Sequence, residues 1–480
     1  DDASTDPSVR QLLEEYARRD ARVRVAFREK NGHISAASNT ALELATGEFV
    51  ALLDQDDELT DDALFEIACA LSRHPDADVL YSDEDKRAPD GRLVSPRFKP
   101  GWSPELLLSQ MYLGHLCVYR RALVQQVGGF REGYEGSQDH DLALRVTERT
   151  SRVVHVPRVL YHWRIHSSSS AGGQQAKPYA VEAGRRAIAD ALGRRGEAGV
   201  VVPLADAPGH FVVRRPTPKR RVSILSPTND SADGLDRCLS SLIATAGETP
   251  FDVHVLQGRN APPGTGDWSE RLGERFSAFR DDHDLNYSRL VNLGAREAKG
   301  DLLLLLAADS ECVDPGWLDE LAGWALRPGT GAVSCRAVSP DGKLRQRMVS
   351  ESGFGAAQPA DWPGDYGQLL GPANASVVSG ACLMIQRETF NQLGGFDEAL
   401  AELGDLDFCL RATRSGLRNV LLGHVKLVQR PLPGENPNRA KELAIVRERW
   451  ARELSQDPLQ NPNLDPETQT IALRVTRSSG

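Results

Sequence analysis

Leu52-Leu53-Asp54-Gln55-Asp56-Asp57-Glu58-Leu59 hangs a group of carboxylates on the end of an apolar run. The preceding Phe49-Val50-Ala51-Leu52-Leu53 is short, continuous and apolar, the pattern of a buried strand. Thr60-Asp61-Asp62 then supplies a hydroxyl for an N-cap and acids for a first turn, so a helix should follow. Carboxylates between a strand and a helix stand where open α/β sheets take their ligands. Hard oxygen donors there suit a divalent cation that bridges to phosphate oxygens. A solvated acidic turn is the competing reading of this stretch alone.

A second stretch supports the ligand reading. Gly128-Gly129-Phe130 leads through Glu135-Gly136-Ser137-Gln138-Asp139-His140-Asp141 into Leu142-Ala143-Leu144-Arg145. The glycines permit a tight turn, and Leu142, Leu144 and Val146 imply a packed helix after it. Asp139 then stands at or near a helix start, either as its cap or as the single placed carboxylate that general-base chemistry needs.

Five stretches in one order resemble inverting family 2 glycosyltransferases of the GT-A fold. Asp1-Asp2-Ala3-Ser4 resembles the nucleotide-binding turn, and Asn31 to Asn39, with Ser35 inside it, resembles the loop and helix lining the donor pocket. Leu53-Asp54-Gln55-Asp56-Asp57 resembles the DxD metal motif. Gly128-Gly129-Phe130 with Gln138-Asp139-His140-Asp141-Leu142 resembles the segment carrying the base, and Tyr161-His162-Trp163-Arg164-Ile165-His166 resembles the closing histidine-bearing segment. The resemblance implies Asp139 as base, and Asp1, Asp2, Asn31, Ser35, Asn39 and Asp54 against the donor. It further implies a manganese or magnesium ion on Asp54 and Asp56, with His162 or His166 as a further ligand or phosphate contact. The implied partners are a nucleoside-diphosphate sugar and a glycan or lipid-linked acceptor. Asp83-Glu84-Asp85 follows the apparent strand Asp78-Val79-Leu80-Tyr81 and resembles the family too, with a solvated turn as its alternative.

The chain also repeats itself. Gly47 to Asp56 aligns with Gly300 to Asp309, Asn39 with Asn292, and Gly128-Gly129-Phe130 with Gly394-Gly395-Phe396. Asp139-His140-Asp141 aligns with Asp405-Leu406-Asp407. The expected fold class is therefore α/β, as two tandem GT-A domains, the first lacking its N-terminal strand. Expected bounds are 1–200 for the first copy, 201–220 for a linker, 221–455 for the second copy and 456–480 for a mobile tail. In the second copy Ala307-Ala308 replaces the start of the metal motif, Leu256-Gln257-Gly258 replaces the nucleotide-binding acid, and Val428 stands opposite His162. Asp309 and Asp405 remain as candidate site residues there, Asp407 persists, and Asn286-Tyr287-Ser288 persists in resemblance to the donor-pocket loop, yet that copy is expected to be impaired and to serve acceptor binding or assembly.

Composition narrows the classes. A chain of 480 residues with 40% hydrophobic and 26% charged content is globular and too long for one ordinary core. A net charge of −10 argues against nucleic-acid binding, which needs a positive surface. Seven scattered cysteines without a CxxC pair read as reduced core residues of a cytoplasmic protein. No run approaches the roughly 18 apolar residues of a membrane span. Peripheral association at the inner face of the membrane stays open. A haloacid-dehalogenase-type hydrolase also places Asp-x-Asp after a strand, but would need a later lysine with paired acids. A carbohydrate-binding scaffold without activity is the nonenzymatic alternative.

Overall fold

In the computed structural model, which describes residues 1–166, 178–217, 219–228, 232–259, 261, 267–283, 285–345, 358–364, 366–430 and 438–465, the apolar run before the carboxylates is strand β1, Phe49–Leu52. Its sheet adds β2 (Glu58–Leu59), β3 (Val79–Arg87), β4 (Leu93–Arg97), β5 (Cys117–Arg120) and β6 (Val153–Arg164). The order is β1-β5-β3-β6-β2, with β4 on β3. β5 runs antiparallel to both β1 and β3, while β3 and β6 run parallel. A separate two-stranded sheet joins β7 (Val200–Pro203) and β8 (Phe211–Arg214).

A nine-stranded sheet follows, made of β9 (Val222–Thr228), β10 (Phe251–Gln257), β11 (Phe276–Arg280), β12 (Leu302–Leu306), β13 (Ser310–Cys312), β14 (Thr330–Val338), β15 (Pro372–Asn374), β16 (Cys382–Gln386) and β17 (Arg418–Gln429). Its order is β11-β10-β9-β12-β16-β14-β17-β13, with β15 on β17. Here β12-β16-β14-β17 repeats β1-β5-β3-β6. The register repeats too, Leu52 facing Cys117 as Leu305 faces Leu383. β9 lies parallel to β12 on its far side; among the described residues the first sheet has no strand in that place.

The chain divides into one unit of Asp1–Trp102 with Leu107–Val213 and a second of Ser103–Leu106 with Arg214–Gly480. The first packs Ile67, Leu80, Leu116, Val118 and Tyr161 into a core, the second Leu303, Leu383, Phe390, Phe408 and Trp450 among others. Removing such side chains from water is what holds each sheet against its helices, at roughly 1.5–3 kcal/mol for each large apolar residue. No helix among the described residues is long and apolar enough to cross a membrane.

Three local expectations change. The stretch 201–220, expected as a linker, contains most of the β7–β8 pair, with Val212 and Val213 buried. Its prolines and glycines mark the turn between strands instead of a tether. The tail expected from 456 is packed as far as the described residues go: Ser376 donates to Asp457 at 2.5 Å, and Asn461 and Leu464 are buried. Asp83-Glu84-Asp85 does not form a turn after a strand. It lies inside β3, and all three are buried. Each has a partner that makes burial tolerable: His155 Nε2 for Asp83 at 2.8 Å, Lys99 Nζ for Glu84 at 3.1 Å, and His162 Nδ1 for Asp85 at 2.5 Å.

Candidate active site

The carboxylates of Asp54 and Asp57 and the imidazole of His115 form a cluster at the end of β1, each offering a ligand atom within 4.8 Å of the others. It is the one group of three or more potential metal-holding side chains among the described residues. Asp54 Oδ2 stands 4.0 Å from His115 Nε2. Burial raises the pKa of Asp54 above the ordinary carboxylate range; His115 opposes that shift, and the charges of Asp57, Asp139 and Asp56 add to it. Several carboxylates that repel one another beside one imidazole suit a bound cation, which would relieve the repulsion.

Tyr161 fixes the cluster from β6. Its hydroxyl donates to Asp57 Oδ2 at 2.6 Å and accepts the Asp54 N–H at 3.2 Å. Burial and the Asp57 contact push the Tyr161 phenol pKa up, so it stays a donor. Its ring stacks on His115 with centroids 4.6 Å apart. Arg164 N–H donates to the other Asp57 oxygen at 2.8 Å.

His115 is held from behind as well. Fully buried Lys99 donates to the carbonyls of Leu113 and His115 at 2.7 and 2.6 Å, and pairs with Glu84. Glu84 in turn accepts the His115 N–H at 3.0 Å. Burial alone would raise the Glu84 pKa, but the charges of Lys99, His115 and Arg97 outweigh it and hold the carboxyl at about 2.

Asp139 is the second residue of helix Gln138–Thr147. The turn before it depends on Gly136, whose φ is +82° and where a Cβ would fall 2.7 Å from Ala180 Cβ. Asp139 Oδ1 accepts the N–H of His140 at 2.8 Å. With Asp54, Asp56, His115, Gln138 and Trp163, Asp139 lines a cleft of about 750 Å³. The other end of that cleft is apolar and runs between helix His33–Leu44 and β1, the position that β9 takes beside β12 in the second unit.

Asp141 has a different place. It is fully buried, accepts from Arg131 at 3.1 Å and from Arg145 at 2.8 Å, and does not line the cleft. Arg145 carries on to the carbonyls of Val127 and Gly129, both at 2.7 Å. Asp141 therefore braces the glycine turn. Asp407 and Arg411 repeat the brace, with Arg411 donating to the carbonyls of Leu393 and Gly395.

The remaining candidates divide. His166 Nε2 meets Asp56 Oδ2 at 2.6 Å, which brings it beside the motif but on a different carboxylate from the cluster. His162 is taken up by Asp85 and does not line the cleft. Asp2 accepts the Gly32 N–H at 3.0 Å and pairs with Arg28, and Asn31 donates to the Asp2 carbonyl at 3.0 Å. Asp1 accepts from Ser4 N–H at 3.2 Å. Asp2 and Asn31 thus bond to one another, and neither they nor Asp1 are among the residues that line the cleft. Ser35 is buried in its helix. Asn39 spends its amide on the backbone of Phe130, donating and accepting at 2.8 Å, and so latches a helix to the glycine turn. Asn292 repeats the latch on Phe396 at 2.9 Å. In the second unit Asp405 lines a cleft, whereas Asp309 lies in the turn after β12 and outside that lining.

Sequence reasoning missed His115, Lys99 and the role of Asp57. Asp57 was in view as the last acid of the motif. His115 sits in Leu113-Gly114-His115-Leu116, which has no spacing relation to the carboxylates and is joined to them only by the antiparallel pairing of β5 with β1.

A family model described as Glycosyl transferase family 2 matches residues 1–128 and 223–394. "Uncharacterized protein y4gI" of Sinorhizobium fredii (strain NBRC 101917 / NGR234) is 36% identical across 99% of this chain and 55% of its own length. "O-antigen biosynthesis protein RfbC" of Myxococcus xanthus is 36% identical across 97% of this chain and 37% of its own length. The chain thus spans about half, or less, of these curated relatives. A crystal structure of GalNAc-T7 with UDP, GalNAc and Mn2+ is similar over 51% of this chain and 50% of that one, at 17% identity and a TM-score of 0.40.

Proposed function

The chain belongs to glycosyl transferase family 2, as two tandem units of the GT-A fold, and we propose that its first unit transfers a sugar, of hexosyl or rhamnosyl type, from a nucleoside diphosphate to a hydroxyl of a glycan or lipid-linked acceptor with inversion. The observation that carries this reading is one cleft lined at its polar end by Asp139, Asp54, Asp56 and His115. The relative named for O-antigen biosynthesis supports a surface polysaccharide as the product class.

Asp54, Asp57 and His115 would hold a divalent ion, manganese or magnesium, since oxygen and imidazole donors fit either. Such an ion supplies charge stabilisation to a departing diphosphate. Asp139 takes the proton of the acceptor hydroxyl as its oxygen forms a bond to the anomeric carbon. The bond from that carbon to the diphosphate oxygen breaks, and the nucleoside diphosphate leaves with the electron pair. Tyr161 and Arg164 keep the Asp57 carboxylate in place, and Lys99 with Glu84 keeps His115 in place.

Release of nucleoside diphosphate from a panel of UDP, GDP and dTDP sugars, with manganese and with EDTA, tests the reading. Manganese-dependent release that Asp54→Ala abolishes is expected. Absence of release from every sugar, with or without a glycan acceptor, would leave the nonenzymatic scaffold.

A further inference from the structure

The second unit keeps the frame of the first site and has lost its metal set. The register that places Gly394-Gly395 on Gly128-Gly129 and Asp405 on Asp139 also places Ala381 on His115. The register of the strands places Ala307 on Asp54 and Ser310 on Asp57. All three members of the cluster are thereby replaced, two of them by methyl groups. Ala307 and Ala381 sit side by side, joined by an N–H to carbonyl hydrogen bond of 2.9 Å. Both line a cleft of about 280 Å³ at the carboxyl ends of β9 and β12.

What remains in that cleft is polar at a few fixed points and apolar elsewhere. Asp405 is buried and accepts two backbone N–H groups, from Gly380 and Leu406, both at 2.8 Å. Its carboxylate is thus aimed and held. Arg345 lines the same space, and its Nε is buried with no hydrogen-bond partner among the described residues. Arg439 faces Glu402 at 3.8 Å. The charged lining is therefore two arginines against two acids, with no excess of positive charge for a diphosphate. Tyr287, Phe396 and Val291 supply apolar surface.

From this we propose that the second unit's cleft is a metal-independent sugar site that holds one uncharged ring of the glycan acceptor. The inference rests on the family reading for its choice of sugar chemistry. A pyranose offers hydroxyls that both donate and accept, plus a C–H face. Asp405 accepts from such hydroxyls, the Arg345 guanidinium donates to them, and the aromatic and aliphatic walls cover the C–H face. The volume lies just below the roughly 300–1,000 Å³ typical of clefts for drug-sized ligands. One ring fits that size better than a whole nucleotide sugar does.

Saturation-transfer NMR on the whole chain in EDTA, with the methyl glycosides of glucose, galactose, mannose, rhamnose and N-acetylglucosamine as probes, tests the site. At least one glycoside should show transfer, unchanged by added manganese. Arg345→Gln and Asp405→Asn should each weaken it about tenfold or more, since each removes a hydrogen bond to a charged group. Should either variant melt early, Ala307→Leu, which puts a larger side chain on the cleft lining, replaces it and should likewise abolish transfer. No transfer from any of the five overturns the proposal. So does transfer that needs manganese or that survives the substitutions. Nucleotide release measured in parallel separates the two readings: release without glycoside binding sinks this inference alone, and binding without release sinks the transferase reading alone.

Discussion

His115 Nε2 lies 4.0 Å from Asp54 Oδ2, although the two residues are far apart in sequence and meet only because β5 pairs with β1. That separation leaves room for an ion between them, whereas His162 already has Asp85 at 2.5 Å. His115→Ala should therefore weaken manganese-dependent donor binding about tenfold or more, as loss of a ligand or its support does. His162→Ala should leave the manganese midpoint unchanged and lower only the melting temperature. A manganese titration followed by donor-dependent thermal shift checks both. The reverse ranking would return the metal to the closing histidine segment.

The fold was legible where periodicity and repetition carry it. Phe49–Leu52, Leu302–Leu306 and the two glycine turns could be read directly, because a buried strand shows as an apolar run and a positive φ shows as glycine. The acids of β3 were opaque for a physical reason. Buried carboxylates look like a solvated turn until their partners, Lys99, His155 and His162, arrive from distant strands and loops. Asn39 was legible as a repeated residue and not as a latch, since its partner is backbone and carries no sequence signal.

The Glu84 carboxyl gives a pH dependence. Its pKa is depressed in the folded chain to about 2 from an ordinary 4.5. A depressed carboxylate contributes stability that is fully present above the ordinary value and is lost as pH falls through the folded value. Melting temperature should thus fall as pH drops from 4.5 toward 2. Glu84→Gln should start lower at neutral pH, because buried Lys99 loses the carboxylate it pairs with at 3.1 Å, and should lose less over that acid range. Parallel melting curves for the two proteins from pH 7 down to 3 decide it; identical slopes would show that Glu84 is not the group responsible.

Asp141 separates structure from chemistry. It is fully buried between Arg131 and Arg145, so Asp141→Ala leaves the buried Arg145 guanidinium without its carboxylate, while Arg131 keeps Asp190, and loosens the carbonyls of the glycine turn. Breaking a buried pair from one side costs about 3–5 kcal/mol. Asp407→Ala, in the matching brace, should cost a comparable amount in the second unit, where Arg449 and Trp450 also bind that carboxylate. Urea unfolding gives the test. A loss below about 1 kcal/mol, the usual yield of a surface pair, would mean the brace is slack.

Asp139 stands against Asp141 as the residue whose loss should cost rate and not stability. It begins its helix with Asp54, Asp56 and His115 around one cleft, and it is only partly buried. Its single described hydrogen bond is to the N–H of its neighbour His140, which an asparagine oxygen can also accept. Asp139→Asn therefore preserves shape and that bond while removing the basic oxygen. Loss of general-base help typically costs roughly 10²–10⁴ in rate. Turnover to acceptor should fall by that factor, while manganese-dependent donor binding, which we assign to Asp54, Asp57 and His115, should persist. The melting temperature should stay within a degree or two, because no buried charge is left alone. If turnover instead remains near normal at unchanged stability, Asp139 serves only the first turn of its helix, and the base must come from another residue of the same cleft.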